Sequence, residues 1–365
     1  MKKKRLLLMM LTVAALLLTA SCSKDDDKPQ PVNPPVAAGA RLQVMMVFAP
    51  GQLGDGGYAD GLLQGASALE LPEAMEGWTD TIDVHFISLY SVADTRQALK
   101  NWAATAAHPF YESTYERRLL VLTEPYMTAW LSEVKGYLRE TDEVLIMKAD
   151  EAYTQRIADT YGLGNRAHGA NFDMTEAITL YCDGIRTFIN SDEVEPGFFG
   201  EKPEIVLFRR FTAAQNYYCD GIEDIIRQQL GNDVNLTVYA LSDYVDAEDL
   251  NEETNVAYIQ AAYTAAAKLD QHFRQTGYGF VIADLGTCNS GMLNYMLGTP
   301  FYHYEVLMLD NSIYTYNYMA ICRNGFAVIL QWLKDWMDHS AGTMPRFKLF
   351  KEEVVHNLGE VVSEK

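Results

Sequence analysis

One pattern limits the possible folds more than any other. Short, almost unbroken apolar runs alternate with longer segments of helical spacing along most of the chain. In the first half, "LQVMMVF" (42–48) precedes "YADGLLQGASALE" (58–70), and "IDVHFISLY" (82–90) precedes "VADTRQALKNWAATAA" (92–107). "LLVLTE" (119–124) then precedes "YMTAWLSEVKGYL" (126–138), with "EVLIMKA" (143–149) after it. Runs apolar at successive positions fit strands covered on both faces, as in a parallel sheet flanked by helices. After "YGLGNRAHG" (161–169) the pattern restarts with a helical segment at 174–189. "EIVLFRRF" (204–211), "VNLTVYAL" (234–241), "YGFVIADLG" (278–286) and "YEVLMLD" (304–310) read as strands, followed by a helix near 316–338 and a closing strand at 347–355. About 325 residues follow position 40, more than one compact core holds comfortably. The expected fold class is α/β: two doubly wound parallel-sheet lobes with a ligand cleft between them, beyond the carboxyl ends of the strands.

Residues 1–21 belong to neither lobe. "MKKKRLLLMMLTVAALLLTASC" has a basic start, an apolar run from Leu6 to Leu18 and small residues before Cys22. The apolar run is too short to span a bilayer and reads as a secretory signal. The cysteine directly after Thr19-Ala20-Ser21 resembles the lipobox of bacterial lipoproteins, which implies lipidation at Cys22. Residues 22–40 carry an acidic triplet and four prolines without apolar periodicity, the composition of a disordered tether. Lys24-Asp25-Asp26-Asp27 resembles the acidic signal that sends some Gram-negative lipoproteins to the outer face of the outer membrane. The expected location is therefore the Gram-negative envelope, as an outer-membrane lipoprotein facing either the surface or the periplasm.

Charge and cysteine usage narrow the partners. Without residues 1–21, which carry four bases and no acid, the formal net charge falls from −20 to −24. So acidic a chain repels nucleic acid and anionic lipid, leaving the lipid anchor as its contact with the membrane. Cys182, Cys219, Cys288 and Cys322 are far apart and lie in apolar contexts, with no CxxC and no histidine at metal-ligand spacing, so no metal is expected. An oxidising compartment permits a disulfide among them, but spacing assigns no pair.

The stretch "VFAPGQLGDGGYADGLLQGASAL" (47–69) places Gly51, Gly54, Gly56 and Gly57 between an apolar run and a helix. Glycines cluster where backbone bends sharply or comes close to a phosphate, another segment or a ligand. Gly54 to Ala59 formally satisfies the dinucleotide pattern G-x-G-x-x-A, yet its first glycine lies about five residues beyond the strand and no acid ends the second strand. There is no G-x-x-x-x-G-K-[ST], no G-x-S-x-G and no H-E-x-x-H among seven scattered histidines. No cofactor and no enzymatic activity are expected. The loop reads instead as thinned for a ligand approaching the N-terminus of helix 58–70, with Asp55 capping that helix and reaching the ligand.

The run "VMMVFAP…GDGGYADGLLQGASALE" resembles the opening of the type I periplasmic binding proteins, most closely the basic membrane protein group, which includes nucleoside-binding lipoproteins. Asp55, Tyr58 and Gly61-Leu62-Leu63-Gln64-Gly65-Ala66 stand at the family's loop acid, aromatic and helix positions, while Ala59 replaces the usual asparagine. "ANFDMTEAITLYCDGI" (170–185) and "FRRFTAAQNYYCDGIEDII" (208–226) resemble the entry to the family's second lobe. The resemblance implies a solute-binding protein that closes two lobes around a small polar ligand, a nucleoside, sugar or similar, and hands it to a permease or sensor. A surface-exposed accessory binding module and an exported hydrolase of glycan or peptide are the alternatives. Lobe 1 is expected over 41–164 with about 286–315, and lobe 2 over 165–285 with about 316–365, hinged near 161–170, 284–290 and 310–316.

Residues at the strand ends are the candidate ligand contacts. Tyr58, Tyr90 and Phe211 offer aromatic faces, and Tyr126 follows the third strand. Glu124, Asp284 and Asp310 are placed to accept hydrogen bonds from hydroxyl or amine groups, though Asp284 equally fits a helix cap. Arg209 and Arg210 are placed to clamp a carboxylate or phosphate, or to neutralise nearby acids.

Overall fold

The computed structural model describes residues 40–54, 56–70, 81–106, 115–212, 215, 217–243, 255–310 and 319–358. The leader, Cys22, nearly all of the tether and Asp55 lie outside the described residues. Strands β1 (Ala40–Val47), β2 (Thr81–Ile87), β3 (Arg117–Leu122), β4 (Asp142–Met147) and β5 (Ala167–Phe172) form one sheet in the order β2-β1-β3-β4-β5, with β11 (Phe347–Phe350) at the edge beside β5. Strands β6 (Glu204–Arg209), β7 (Asn235–Ala240), β8 (Gly279–Asp284), β9 (Tyr304–Leu309) and β10 (Met319–Arg323) repeat the pattern as β7-β6-β8-β9-β10, with β12 (Val354–Asn357) beside β10. Every pairing is parallel except β10 with β12. All six residues of β4 are buried, as are five of six in β3 and β6, because helices cover both sheet faces.

The division into lobes departs from the expected boundaries. The segment 286–315 contains β9, which belongs to the second sheet, and the segment after 165 contains β5, which belongs to the first. The helix expected near 316–338 is a strand, β10, followed by a shorter helix, α9 (Gly325–Asp338). The closing strand at 347–355 is two strands in two different sheets, β11 and β12.

The chain therefore crosses between sheets after β5, after β10 and between β11 and β12, not at the three segments expected. The crossings are tied side by side. The Asp173 N–H donates to the Phe350 carbonyl at 2.9 Å, and the Asn324 N–H to the Glu353 carbonyl at 2.8 Å. Asn324 also caps α9 by accepting from the Ala327 N–H at 3.2 Å.

Helix α1 (Tyr58–Ser67) lies against α9 at very short range. A methyl group at Gly65 would stand 2.4 Å from the Phe326 carbonyl oxygen, and one at Gly325 would stand 2.3 Å from that of Tyr58. Trp332 and Trp336 on α9 are buried in the same core. Beneath them Glu143 of β4 accepts hydrogen bonds from Trp336 Nε1 at 2.6 Å, Arg117 Nη2 at 2.7 Å and the Gly342 N–H at 3.0 Å, and pairs with His168 Nε2 at 3.1 Å. Burial raises the Glu143 carboxyl, but these partners outweigh it and hold it at about 2.

Candidate functional site

The carboxyl ends of both sheets face one cleft, whose walls include Gln52, Glu124, Tyr126 and Lys148 from the first lobe and Arg210, Phe211, Tyr217, Asp220, Asp284 and Arg323 from the second. The space left between them is about 60 Å³. That holds a few waters, and a larger solute requires the lobes to part.

A network of seven charged groups, all largely withdrawn from solvent, fills the floor. Lys148 Nζ lies 2.8 Å from Glu124 and 2.6 Å from Asp310, joining the lobes directly. Asp310 also meets Arg323 Nη1 at 2.6 Å. Arg323 Nη2 lies 3.7 Å from Asp220, which Arg209 holds through two hydrogen bonds of 2.9 and 3.0 Å. Arg209 also reaches Asp284 at 2.8 Å. Gln52 orients Glu124 by donating from Nε2 at 2.9 Å, while its own Oε1 accepts from the Ala49 N–H at 2.8 Å.

Lys148 and Asp310 hold equivalent places, each directly after the fourth strand of its lobe. Both have left-handed backbone, with φ of 59° and 64°, and they are the only non-glycine residues among those described that do. Such conformations are unfavourable for branched or long side chains and concentrate at functional sites. Burial alone would lower the Lys148 ammonium, but Asp310 and Glu124 reverse this and raise it to about 12. Burial likewise pushes Asp310 and Asp220 upward, yet Arg323 and Lys148 hold the first below its ordinary value and Arg209 holds the second at about 2. Asp284 is raised: its burial and the neighbouring Asp220 outweigh Arg209.

Five of the expected contacts come together here: Glu124, Arg209, Phe211, Asp284 and Asp310. Asp284 is an ion-pair partner, not a helix cap; the next helix, α8 (Asn289–Gly298), has Cys288 at its N-cap. Phe211 packs its ring 4.8 Å from Tyr126 across the cleft. Tyr58 offers no stacking face to a solute. It is 2% exposed, its ring lies 4.3 Å from Lys148 Nζ, and its N–H donates to the Asp310 carbonyl at 3.3 Å, so it supports the lysine from below. Tyr90 is 66% exposed and stands outside the cleft walls, because it follows the edge strand β2.

The glycine loop also departs from expectation. Asp60 accepts from the Gly54 N–H at 2.9 Å and the Gly56 N–H at 2.6 Å, so donors expected to meet a ligand are bound by the chain's own carboxylate. The close approach made by the glycines of α1 is to α9.

Lys148, Asp220, Arg323 and Tyr217 are cleft residues that sequence reading missed. Lys148 carried a signal, a charge directly after the apolar run Val144–Met147. Asp220 and Arg323 carried little, since one follows an irregular loop and the other ends a strand that reads as helix. Among the described residues no disulfide forms between the four cysteines, no cluster suits a metal ion, and no helix is long and apolar enough to cross a membrane.

No family model and no curated protein sequence matches the chain. Solved structures do. An ABC transporter periplasmic solute-binding protein from Actinobacillus succinogenes 130z with bound D-allose superposes with a TM-score of 0.54 at 9% identity, covering 87% of this chain and 97% of that one. An ABC transporter solute-binding protein from Agrobacterium vitis with bound allitol gives 0.52 at 10% identity, covering 88% and 96%. The fold is type I periplasmic-binding-protein-like. A probable maltose operon transcriptional repressor from Staphylococcus gives 0.53 at 7% identity, covering 88% and 98%. At such identities the likeness concerns the fold alone, which solute carriers and regulators share.

Proposed function

We propose that the protein is a lipid-anchored solute-binding protein that closes its two lobes around a small polar ligand and passes it to a membrane permease or sensor. The observation that carries this reading is the charged network at the facing strand ends. Buried ion pairs contribute little net stability, because desolvating the charges offsets their attraction, so seven such groups in one cleft favour a binding role. The D-allose and allitol named for two structural neighbours fit a solute of monosaccharide size. The resemblance of residues 44–70 to nucleoside-binding lipoproteins adds nucleosides to the ligands to be tried. A DNA-binding regulator fits poorly with a net charge of −20 and a secretory leader. Cys22 is the proposed anchor, and the outer membrane of a Gram-negative cell the proposed location.

One preparation tests the reading. Full-length protein extracted from membranes and a Cys22→Ala variant from the soluble fraction are both examined by native mass spectrometry. The expected result is a lipid mass on the first alone and a small polar molecule released from both on denaturation. A variant still confined to the membrane would remove the anchor. Absence of any retained molecule, with no thermal shift from sugars or nucleosides, would remove the solute-binding role.

A further inference from the structure

Arg209 and Arg210 are neighbours in sequence and differ in circumstance. Arg209 is saturated by Asp220 and Asp284. Arg210 faces the cleft among aromatic rings, its guanidinium carbon 4.3 Å from the ring centre of Tyr258, 5.4 Å from Phe211 and 5.5 Å from Tyr126. Among the described residues it forms no ion pair, and its Nε is buried without a hydrogen-bond partner. The buried hydroxyl of Tyr126 lacks a partner as well. The cleft's acids are committed elsewhere: Glu124 and Asp310 to Lys148, Asp220 and Asp284 to Arg209.

A guanidinium whose Nε is buried without a partner and which forms no ion pair among the described residues is compensated by ring faces only in part. An anion entering the cleft would complete it, with the planar fork suited to two oxygens at once. The four carboxylates nearby outnumber the three cations paired with them, which opposes a doubly charged group such as phosphate and leaves a single negative charge as the better match. The Tyr126 hydroxyl, buried without a partner, suits a ring hydroxyl.

Resting on the solute-binding reading, we propose that the ligand is an acidic sugar, a polyhydroxylated ring whose carboxylate is received by Arg210 between the aromatic rings of the two lobes. Arg210 thereby selects acid sugars over their neutral counterparts.

The test compares matched pairs by calorimetry on the full chain: D-glucuronate against D-glucose, and D-galacturonate against D-galactose. A charged hydrogen bond of this kind predicts that the acid binds about ten- to a hundredfold tighter than its neutral partner. Arg210→Met should erase that preference, and Arg210→Lys should keep part of it. Equal or tighter binding of the neutral sugars by the unaltered protein, a comparison that needs no variant, overturns the proposal. So does an acid preference that survives in a folded Arg210→Met protein. If neither pair binds, the solute released on denaturation decides: a carboxylate-bearing molecule supports the assignment and a neutral one overturns it while leaving the solute-binding role intact. A protein that retains and binds nothing removes both.

Discussion

Glu143 illustrates what a single buried carboxylate does for this fold. Donors from β3, β5, α9 and the Gly342 turn converge on it, so it joins the first sheet to the helix that returns from the second lobe. Held at about 2 in the fold against about 4.5 in the unfolded chain, it adds roughly 3 kcal/mol at neutral pH. For a depressed carboxyl this contribution is complete above the unfolded value and disappears as pH falls from about 4.5 towards 2. Urea melts of the unaltered protein should lose stability across that window, and Glu143→Gln should be less stable at pH 7 with a flatter acid limb. An unchanged acid limb in the variant would deny Glu143 this role. At this scale the sequence was legible for acids and less so for cations. Glu124, Asp284 and Asp310 were visible as charges ending apolar runs, whereas which arginine of the Arg209-Arg210 pair is saturated depends on Asp220, brought in by a loop whose path no periodicity encodes.

Between elements, one close contact is that of α1 with α9, which the glycines of α1 and Gly325 permit. Adding a methyl group at Gly65 forces the helices apart or displaces Ile329, and overpacking of this kind costs about 1–3 kcal/mol. Gly65→Ala should therefore lower the melting temperature by several degrees, whereas Gly136→Ala, where a methyl meets nothing within 4 Å, should not. Equal melting temperatures for the two variants would contradict the packing described. The elements legible in sequence were those with strong period, such as β3, β4 and the helix α5 (Thr175–Ile189). The fifth strand of each lobe was not. "AHGANF" contains no β-branched residue and "MAICR" only one, so both adopt strand conformation through the sheet they join and not through local preference. Missing those two strands displaced the expected lobe boundaries and hinges.

Across the whole molecule, the lobes meet through Lys148 with Asp310, through Tyr126 with Phe211, and through Asn171, whose Nδ2 donates to the Cys219 carbonyl at 2.7 Å. The lysine contact is the one charged link in that set. Lys148→Met should shift the population towards open lobes, seen as a larger radius of gyration in small-angle scattering at unchanged helix content. An unaltered radius would show that the aromatic and amide contacts suffice for closure. The three crossings bear on how such a molecule is made. Among the described residues, 347–357 come after every other strand, yet they supply one of the two edge strands of each sheet. Until they emerge, β5 and β10 each present an unpaired edge, and neither half can finish ahead of the other. A single short segment thus seals two sheets at once, so neither sheet acquires this edge until the other described strands of both have been made.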